Sequence, residues 1–241
     1  MTRPILRNSI LLAVLLYAFT TFLSAQSLTT LYSFAGSDGA LPEAGLVRGS
    51  DGNFYGTTYF GGTNGDGTVF KITPSGTLTT LYSFAGSDGV DPVAGLVQGI
   101  DGNFYGTTYQ GGANGEGAVF KITPSGTLTT LYGFAGSDGE FPYAGLVQGS
   151  DGNFYGTTVF GGADCLDLGC GTVFQITPSG TLTTLYNFAG SDGVAPYAGL
   201  VQGSDGNFYG TTQQGGANNV GTVFRLGVVR PCATCRPVSW R

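Results

Sequence analysis

The sequence contains no histidine. This excludes histidine general acid–base catalysis, the Ser-His-Asp type of triad and every histidine-ligated metal site. Tryptophan occurs once, as Trp240 near the end of the chain, so a quinone cofactor that stacks between tryptophans has no platform, and no cofactor is expected. Charged residues are only 10% of the chain, with nine basic residues against fifteen acidic ones. Nucleic acid and anionic membrane, which need clustered Lys and Arg, are poor partners for such a surface.

Long apolar runs are also missing, apart from Ile10 to Leu23, a largely apolar stretch of fourteen residues. A membrane-spanning helix needs about 20. Arg3 and Arg7 precede this run and small residues follow it, the pattern of a secretory signal peptide. Cleavage is expected after Ala25, making residues 1–25 the signal and leaving a chain without a membrane span. That places the protein outside the cell, on its surface or in the periplasm. Arg3 and Arg7 are not adjacent and no cysteine follows the run, so neither the twin-arginine route nor lipid attachment is indicated. Removing the two arginines leaves seven basic residues against fifteen acidic, a net charge of −8.

What is abundant is glycine, with 44 residues, alongside an aromatic content of 13%. Disordered chains are poor in aromatics, so this composition can build a core. The glycines belong to a repeat. "SDGNFYGTT" stands at residues 50–58, 150–158 and 204–212, and returns at 100–108 with Ile100 in the first place. The "LTTLY" strips put Leu31, Leu81, Leu131 and Leu185 in register, at spacings of 50, 50 and 54 residues. The four extra residues lie in "GGADCLDLGCGTVF".

Within one period, four strand-like runs alternate with turn signals, at 95–99, 103–110, 117–123 and 127–134 in the second copy. The connections "IDG", "GGANGE" and "PSG" are of hairpin length, and only the ten residues 135–144 are long enough to cross to a neighbouring sheet. A meander of this period with one crossover is a propeller blade. The chain opens on "LTTLYSF", a fourth-type strand, and its last repeat stops at "GTVFRL", a third. The expected fold is therefore all-β: a four-bladed β-propeller of four-stranded antiparallel blades over residues 26–226, closed by residues 28–34 pairing with 221–226, with residues 227–241 as a cysteine-containing tail.

Most acids fall in Asp-Gly turns, where turn chemistry explains them. One carboxylate per loop is far short of the six to eight oxygens that Ca²⁺ takes, so no metal site is assigned, and no residue is assigned a catalytic role. The copies differ in the crossover ("ALPE", "VDPV", "EFPY", "VAPY") and in the middle loop ("TNGD", "ANGE", "ADCLDLGC", "ANNV"). Both must emerge on one face, opposite "SDGN" and "PSG". Phe141, Tyr143 and Tyr197, with the crossover acids Asp138 and Asp192, are the candidate ligand-binding residues of that face. An extracellular glycan or protein is the expected partner. The leading reading is a binding or interaction module. The alternatives are a carbohydrate-active or other hydrolytic enzyme using loop carboxylates, and a structural repeat that associates with its own copies.

The strips "GLVQGSDGNFYGTT" and "GTVFKITPSGTLTTLYSFAGSDG" resemble those of the GloVer tandem-repeat proteins, a group of secreted bacterial proteins also labelled choice-of-anchor. The resemblance covers residues 28–226 and implies export, a propeller-like array and varied C-terminal anchoring, without pointing to an activity. The tail here, "GVVRPCATCRPVSWR", has no apolar span.

In an exported chain, Cys165 and Cys170, set together in the elongated middle loop, read as a local disulfide, and Cys232 with Cys235 as a second. Peptide mapping without reduction is expected to return these two links, and reduction to cost at most ~2 kcal/mol for so short a ring as 165–170. Free thiols, or a link from Cys165 to Cys232, would return a Cys₄ zinc site to consideration.

Overall fold

Each copy of the strip begins with a turn latched by its own aspartate. In the computed structural model, which describes residues 26–163 and 169–228, Asp51 Oδ1 accepts the Asn53 N–H at 3.1 Å, while Oδ2 accepts the Asn53 amide at 2.7 Å and the Tyr55 hydroxyl at 2.8 Å. Gly52 supplies the positive φ of +83° that this turn needs. The same bonds recur at Asp101, Asp151 and Asp205.

The chain divides into residues 1–30 and a second unit, residues 31–241, that holds every strand. Blade 1 consists of β1 (Val47–Arg48), β2 (Phe54–Thr58), β3 (Thr68–Ile72) and β4 (Leu78–Ser83). Blade 2 has β5 (Val97–Gln98), β6 (Phe104–Thr108), β7 (Ala118–Ile122) and β8 (Leu128–Gly133). Blade 3 has β9 (Val147–Gln148), β10 (Phe154–Thr158), β11 (Thr172–Ile176) and β12 (Leu182–Asn187). Blade 4 has only β13 (Val201–Gln202), β14 (Phe208–Thr212) and β15 (Thr222–Leu226). All are antiparallel meanders. A register shift opposite Val69/Phe70 leaves Leu81 as the extra residue of a bulge in the fourth strand, and it recurs at Leu131 and Leu185, adding local twist to that strand. Among the described residues no helix is long and apolar enough to cross a membrane.

The core lies between blades rather than within them. Tyr55, Val69 and Phe84 of blade 1 form one buried cluster with Leu96, Phe104, Phe120 and Ile122 of blade 2. Two equivalent clusters join blade 2 to blade 3 and blade 3 to blade 4. Each junction is a face-to-face ring stack, Tyr55 on Phe104, Tyr105 on Phe154 and Tyr155 on Phe208, with centroids 3.9, 3.9 and 4.0 Å apart. An edge contact backs each stack, Phe84 to Phe120 at 5.2 Å, Phe134 to Phe174 at 5.2 Å and Phe188 to Phe224 at 5.1 Å. These rings lie so close over the strip that a Cβ at Gly106 would stand 2.6 Å from Phe120 Cζ. Glycine inside that strand is thus a packing requirement.

The expected closure is not formed. Residues 28–34 carry no strand, and blade 4 ends at β15 with Val223 81% exposed, whereas Val69, Val119 and Val173 are fully buried. The reason is that the strip expected to close the ring is engaged at the other end of the array. Phe34 instead packs against Phe70 at 5.2 Å, the edge contact that each fourth strand makes with the blade after it.

Phe104→Ala is expected to cost about 3–5 kcal/mol, and Gly106→Ala about 1–3 kcal/mol by overpacking. Ile100→Ser, which restores the strip of the other copies at a site 88% exposed, is expected to change stability by under about 0.5 kcal/mol. Urea denaturation distinguishes the three; equal effects would show that the junction is not the core.

Candidate functional site

The crossover after each fourth strand is shaped by a second aspartate. The Asp88 carboxylate accepts the Ala85 N–H at 2.9 Å and the Tyr82 hydroxyl. Asp38, Asp138 and Asp192 repeat this with Ala35 and Tyr32, Ala135 and Tyr132, and Ala189 and Tyr186. Asp138 and Asp192, two of the candidate ligand-binding residues, are therefore engaged by their own loops as in every copy. The hydrogen bond that Tyr82 donates to Asp88, with burial, pushes its phenol up to about 12. Burial, then Asp138, does the same for Tyr132, also to about 12. At Asp192 burial opposes ionisation, but the Tyr186 hydroxyl and the Ala189 N–H outweigh it and hold the carboxyl low.

Beyond this latch the crossover is clamped from both sides around one residue in the left-handed region. Leu41, Asp91, Phe141 and Ala195 have φ of 53°, 59°, 56° and 55°. Each stands before a proline, where non-glycine residues rarely adopt this conformation. Asp91, Phe141 and Ala195 donate their N–H to the preceding middle loop, at Asp66 O (3.1 Å), Glu116 O (2.9 Å) and Cys170 O (3.0 Å). Their carbonyls accept from the residue after the strip, Tyr109 (2.9 Å), Val159 (3.2 Å) and Gln213 (3.0 Å). Such strain persists only where the surroundings over-determine it, and this pair of clamps does so.

These loops bring the candidate aromatics together. Phe141 lies 5.2 Å from Tyr109, Tyr109 lies 5.8 Å from Tyr143, and Tyr143 lies 5.4 Å from Tyr197. The row continues through Phe160, 6.3 Å from Phe141. Tyr143 is 40% exposed. Tyr109 of this row, and its equivalent Tyr59 beside Asp91, were not singled out from the sequence. Their signal was available: the residue after "GTT" reads Tyr, Tyr, Val and Gln across the copies.

Acids flank the rings. Asp91 is buried, and its Oδ1 has no hydrogen-bond partner among the described residues. Burial raises its pKa, the Tyr59 hydroxyl opposes that, and the charge of Asp66 adds to it. Burial, then the charge of Glu116, raises Glu140 likewise. Burial raises the Tyr109 phenol, with Tyr197, Tyr143 and Asp91 adding to the shift. The face therefore offers stacked rings, phenolic donors and two pairs of acids, Asp66 with Asp91 and Glu116 with Glu140. Among the described residues no group of three or more potential ligands could hold a metal ion. Cys170 is buried and is not a free thiol, while Cys165, Cys232 and Cys235 lie outside the described residues.

The four copies of this unit match the Gloeobacter/Verrucomicrobia repeat over residues 15–224. The chain belongs to that family. No curated protein matches it. Among solved structures it is similar to virginiamycin B lyase from Staphylococcus aureus, at 20% identity and a TM-score of 0.50, over 74% of this chain and 54% of that one. It is also similar to a protein of unknown function from Bacteroides thetaiotaomicron, at 18% identity and a TM-score of 0.50, over 76% of this chain and 46% of that one. At these identities the likeness is one of fold, and it is to propeller-like chains. This family member spans about half the length of the structures it matches.

The latches set the pH range of stability. The phenols of Tyr82 and Tyr132 rise from 10.0 to about 12 in the folded protein, so the stability they contribute is complete below about pH 10 and is lost as pH rises toward 12. Asp51, Asp101, Asp151 and Asp205 are lowered, so theirs is present above about pH 4 and is lost as pH falls below it. The urea midpoint of Tyr132→Phe should fall less steeply than that of the wild type between about pH 10 and 12; parallel curves would remove the latch from this account.

Proposed function

We propose that the protein is an exported binding module that captures an extracellular saccharide on its crossover face. The observation that carries this reading is the ring row from Phe141 through Tyr109 and Tyr143 to Tyr197, with centroid spacings of 5.2, 5.8 and 5.4 Å. Aromatic rings give broad apolar contact at low entropic cost. The neighbouring phenols and the acids Asp91, Glu116 and Glu140 supply the hydroxyl and carboxylate groups that a polyhydroxylated ligand pairs with. Crossover loops clamped at backbone level hold this surface in place, which limits the ordering cost of binding. In this reading the Cys165–Cys170 link pins the loop beside the third crossover, and residues 28–34 are the fourth strand that a blade of the blade 4 type lacks.

A hydrolytic reading is second. It is favoured by the raised carboxyls of Asp91 and Glu140, each beside another acid, an environment that suits general acid work.

Glycan-array screening of the purified protein, followed by titration calorimetry, tests the leading reading. Phe141→Ala/Tyr143→Ala/Tyr197→Ala should weaken saccharide binding at least about tenfold. Tyr143→Ala, at the most exposed ring, should weaken it with the melting temperature nearly unchanged. Wild-type binding unaffected by Tyr143→Ala would move the site elsewhere, and capture of a protein but no saccharide would replace the ligand class. Turnover of a bound glycan, abolished by Asp91→Asn, would establish the second reading.

A further inference from the structure

The two ends of the blade array carry the two halves of one more junction. At each of the three internal junctions a tyrosine of one blade stacks on a phenylalanine of the next. The tyrosine left over is Tyr209 on blade 4 and the phenylalanine left over is Phe54 on blade 1; both are partly exposed, while every paired equivalent is buried. Thr57, Thr107 and Thr157 reach across their junctions to the carbonyls of Ala94, Ala144 and Ala198, at 2.9, 3.1 and 3.4 Å. The remaining pair is Thr211, which is exposed, and Ala44. Gly67, Gly117 and Gly171 receive the rings of Pro92, Pro142 and Pro196. By the same count Gly221 and Pro42 remain. The crossover clamp leaves Leu41 and Val220, which are 55% and 80% exposed.

The fourth strands obey the same rule. Leu81 packs with Leu128 in one junction and Leu131 with Leu182 in the next. At the blade 1 end, Leu31 and Leu78 line an apolar groove of about 460 Å³ together with Phe34, Leu46, Phe54 and Phe70. At the blade 4 end, Leu185 and Leu226 line a cleft of about 590 Å³ at the place where the described residues supply no fourth strand. Leu31 is held as a fourth strand is: a Cβ at Gly76 would stand 2.6 Å from Leu31 O, as one at Gly126 would stand 2.8 Å from Leu81 O. The strip is thus seated on blade 1 with its pairing edge turned to the blade that would precede it.

We propose that two copies of the chain join head to tail, the β13–β15 sheet of each docking on the blade 1 end of the other and taking that copy's Leu31–Phe34 strip as its fourth strand. In the register of the other blades, where Tyr82 faces Val69 and Ser83 faces Thr68, Tyr32 of one copy lies opposite Val223 of the other and Ser33 opposite Thr222. A second copy fits because the halves left over at the two ends are those that each internal junction pairs, and they are not paired with each other within one chain. The chain superposes on 54% and 46% of two propeller-like chains, so two copies supply about one ring. The operator is a closed two-fold, which satisfies both ends at once.

Charge marks this junction as distinct. Gln98, Gln148 and Gln202 accept the N–H of Ser50, Ile100 and Ser150 across their junctions, at 2.9, 3.1 and 3.0 Å. Blade 1 has Arg48 in that place, a donor only, and it would meet Ser204 and the carboxylate of Asp205. An ion pair replaces a neutral amide bond at the one seam that joins separate chains.

Sedimentation velocity of the purified protein at micromolar concentration tests the assembly and is expected to give a species of twice the chain mass. Val223→Lys, at an exposed site, should yield a folded monomer, and Arg48→Ala should weaken association by about fivefold with a smaller salt dependence. Tyr32→Cys/Val223→Cys should oxidise to a covalent dimer linked 32–223 between chains. A wild-type monomer, a 32–223 link within one chain, or a ladder of species beyond the dimer would each overturn the proposal.

Discussion

The stack of a tyrosine on the next blade's phenylalanine is the interaction on which the rest of this structure depends. A four-stranded blade of about fifty residues has no interior of its own, because its strands are too short and its sheet too narrow to enclose one. Tyr55, Tyr105 and Tyr155 reach full burial only by lying against Phe104, Phe154 and Phe208. The strip that carries them has little freedom as a result. Asp51 must hold the Tyr55 hydroxyl at 2.8 Å to aim the ring, and position 56 must be glycine because the Phe70 ring lies across it. The following threonines must be small and polar to bond the neighbouring crossover. Near-identity among the four strips is what one junction, used repeatedly, requires of its parts.

This also explains which parts of the molecule were legible from sequence. The Asp-Gly turns, the meander and the packing role of "FYG" follow from local chemistry, and the structure has them, with the strands trimmed by one or two residues at each end. The first strand shrinks most, to Val97–Gln98 where the run reads 95–99, because Gly95 and Gly99 are taken up by the close approach of the neighbouring blade and by the Asp101 turn. The closure was not legible. Residues 28–34 read as a strand for blade 4, but Phe34 sits on Phe70 of blade 1, and nothing local in the strip distinguishes the two placements. Tyr59 and Tyr109 were overlooked for a related reason: nothing in the local pattern says that the residue after "GTT" meets the next crossover, at Asp91 and Phe141 respectively.

Aspartate shows how one residue type divides by position. Eight aspartates of the repeat, two in each copy, are consumed by turns and latches, where they accept hydrogen bonds from tyrosine and backbone. Asp91 occupies a left-handed crossover position instead, beside Tyr59 and Asp66, with one oxygen buried and unpartnered. Only the second kind keeps an oxygen without a hydrogen-bond partner among the described residues. The same division separates the two faces. The turn face is made of strips that cannot change without losing a junction, whereas the crossover face is clamped through backbone groups, which leaves its side chains open to variation.

A repeat built in this way has an inherent difficulty at its ends, since each added blade completes one junction and opens another. Terminal repeats of such arrays ordinarily carry polar faces to stop further association. Here the ends are not polar: Leu46 and Val223 are more than half exposed where their equivalents are buried, and β15 presents an unpaired edge of the kind that templates aggregation. Arg48 is the exception, a charge placed at the seam in the one copy where glutamine would have served inside the array. An apolar edge left to itself would collect any strand, whereas one bordered by Arg48 on one end and Asp205 on the other favours a single orientation. Specificity at this seam therefore comes from a polar substitution at its rim, and affinity from the ring and valine positions that every blade shares.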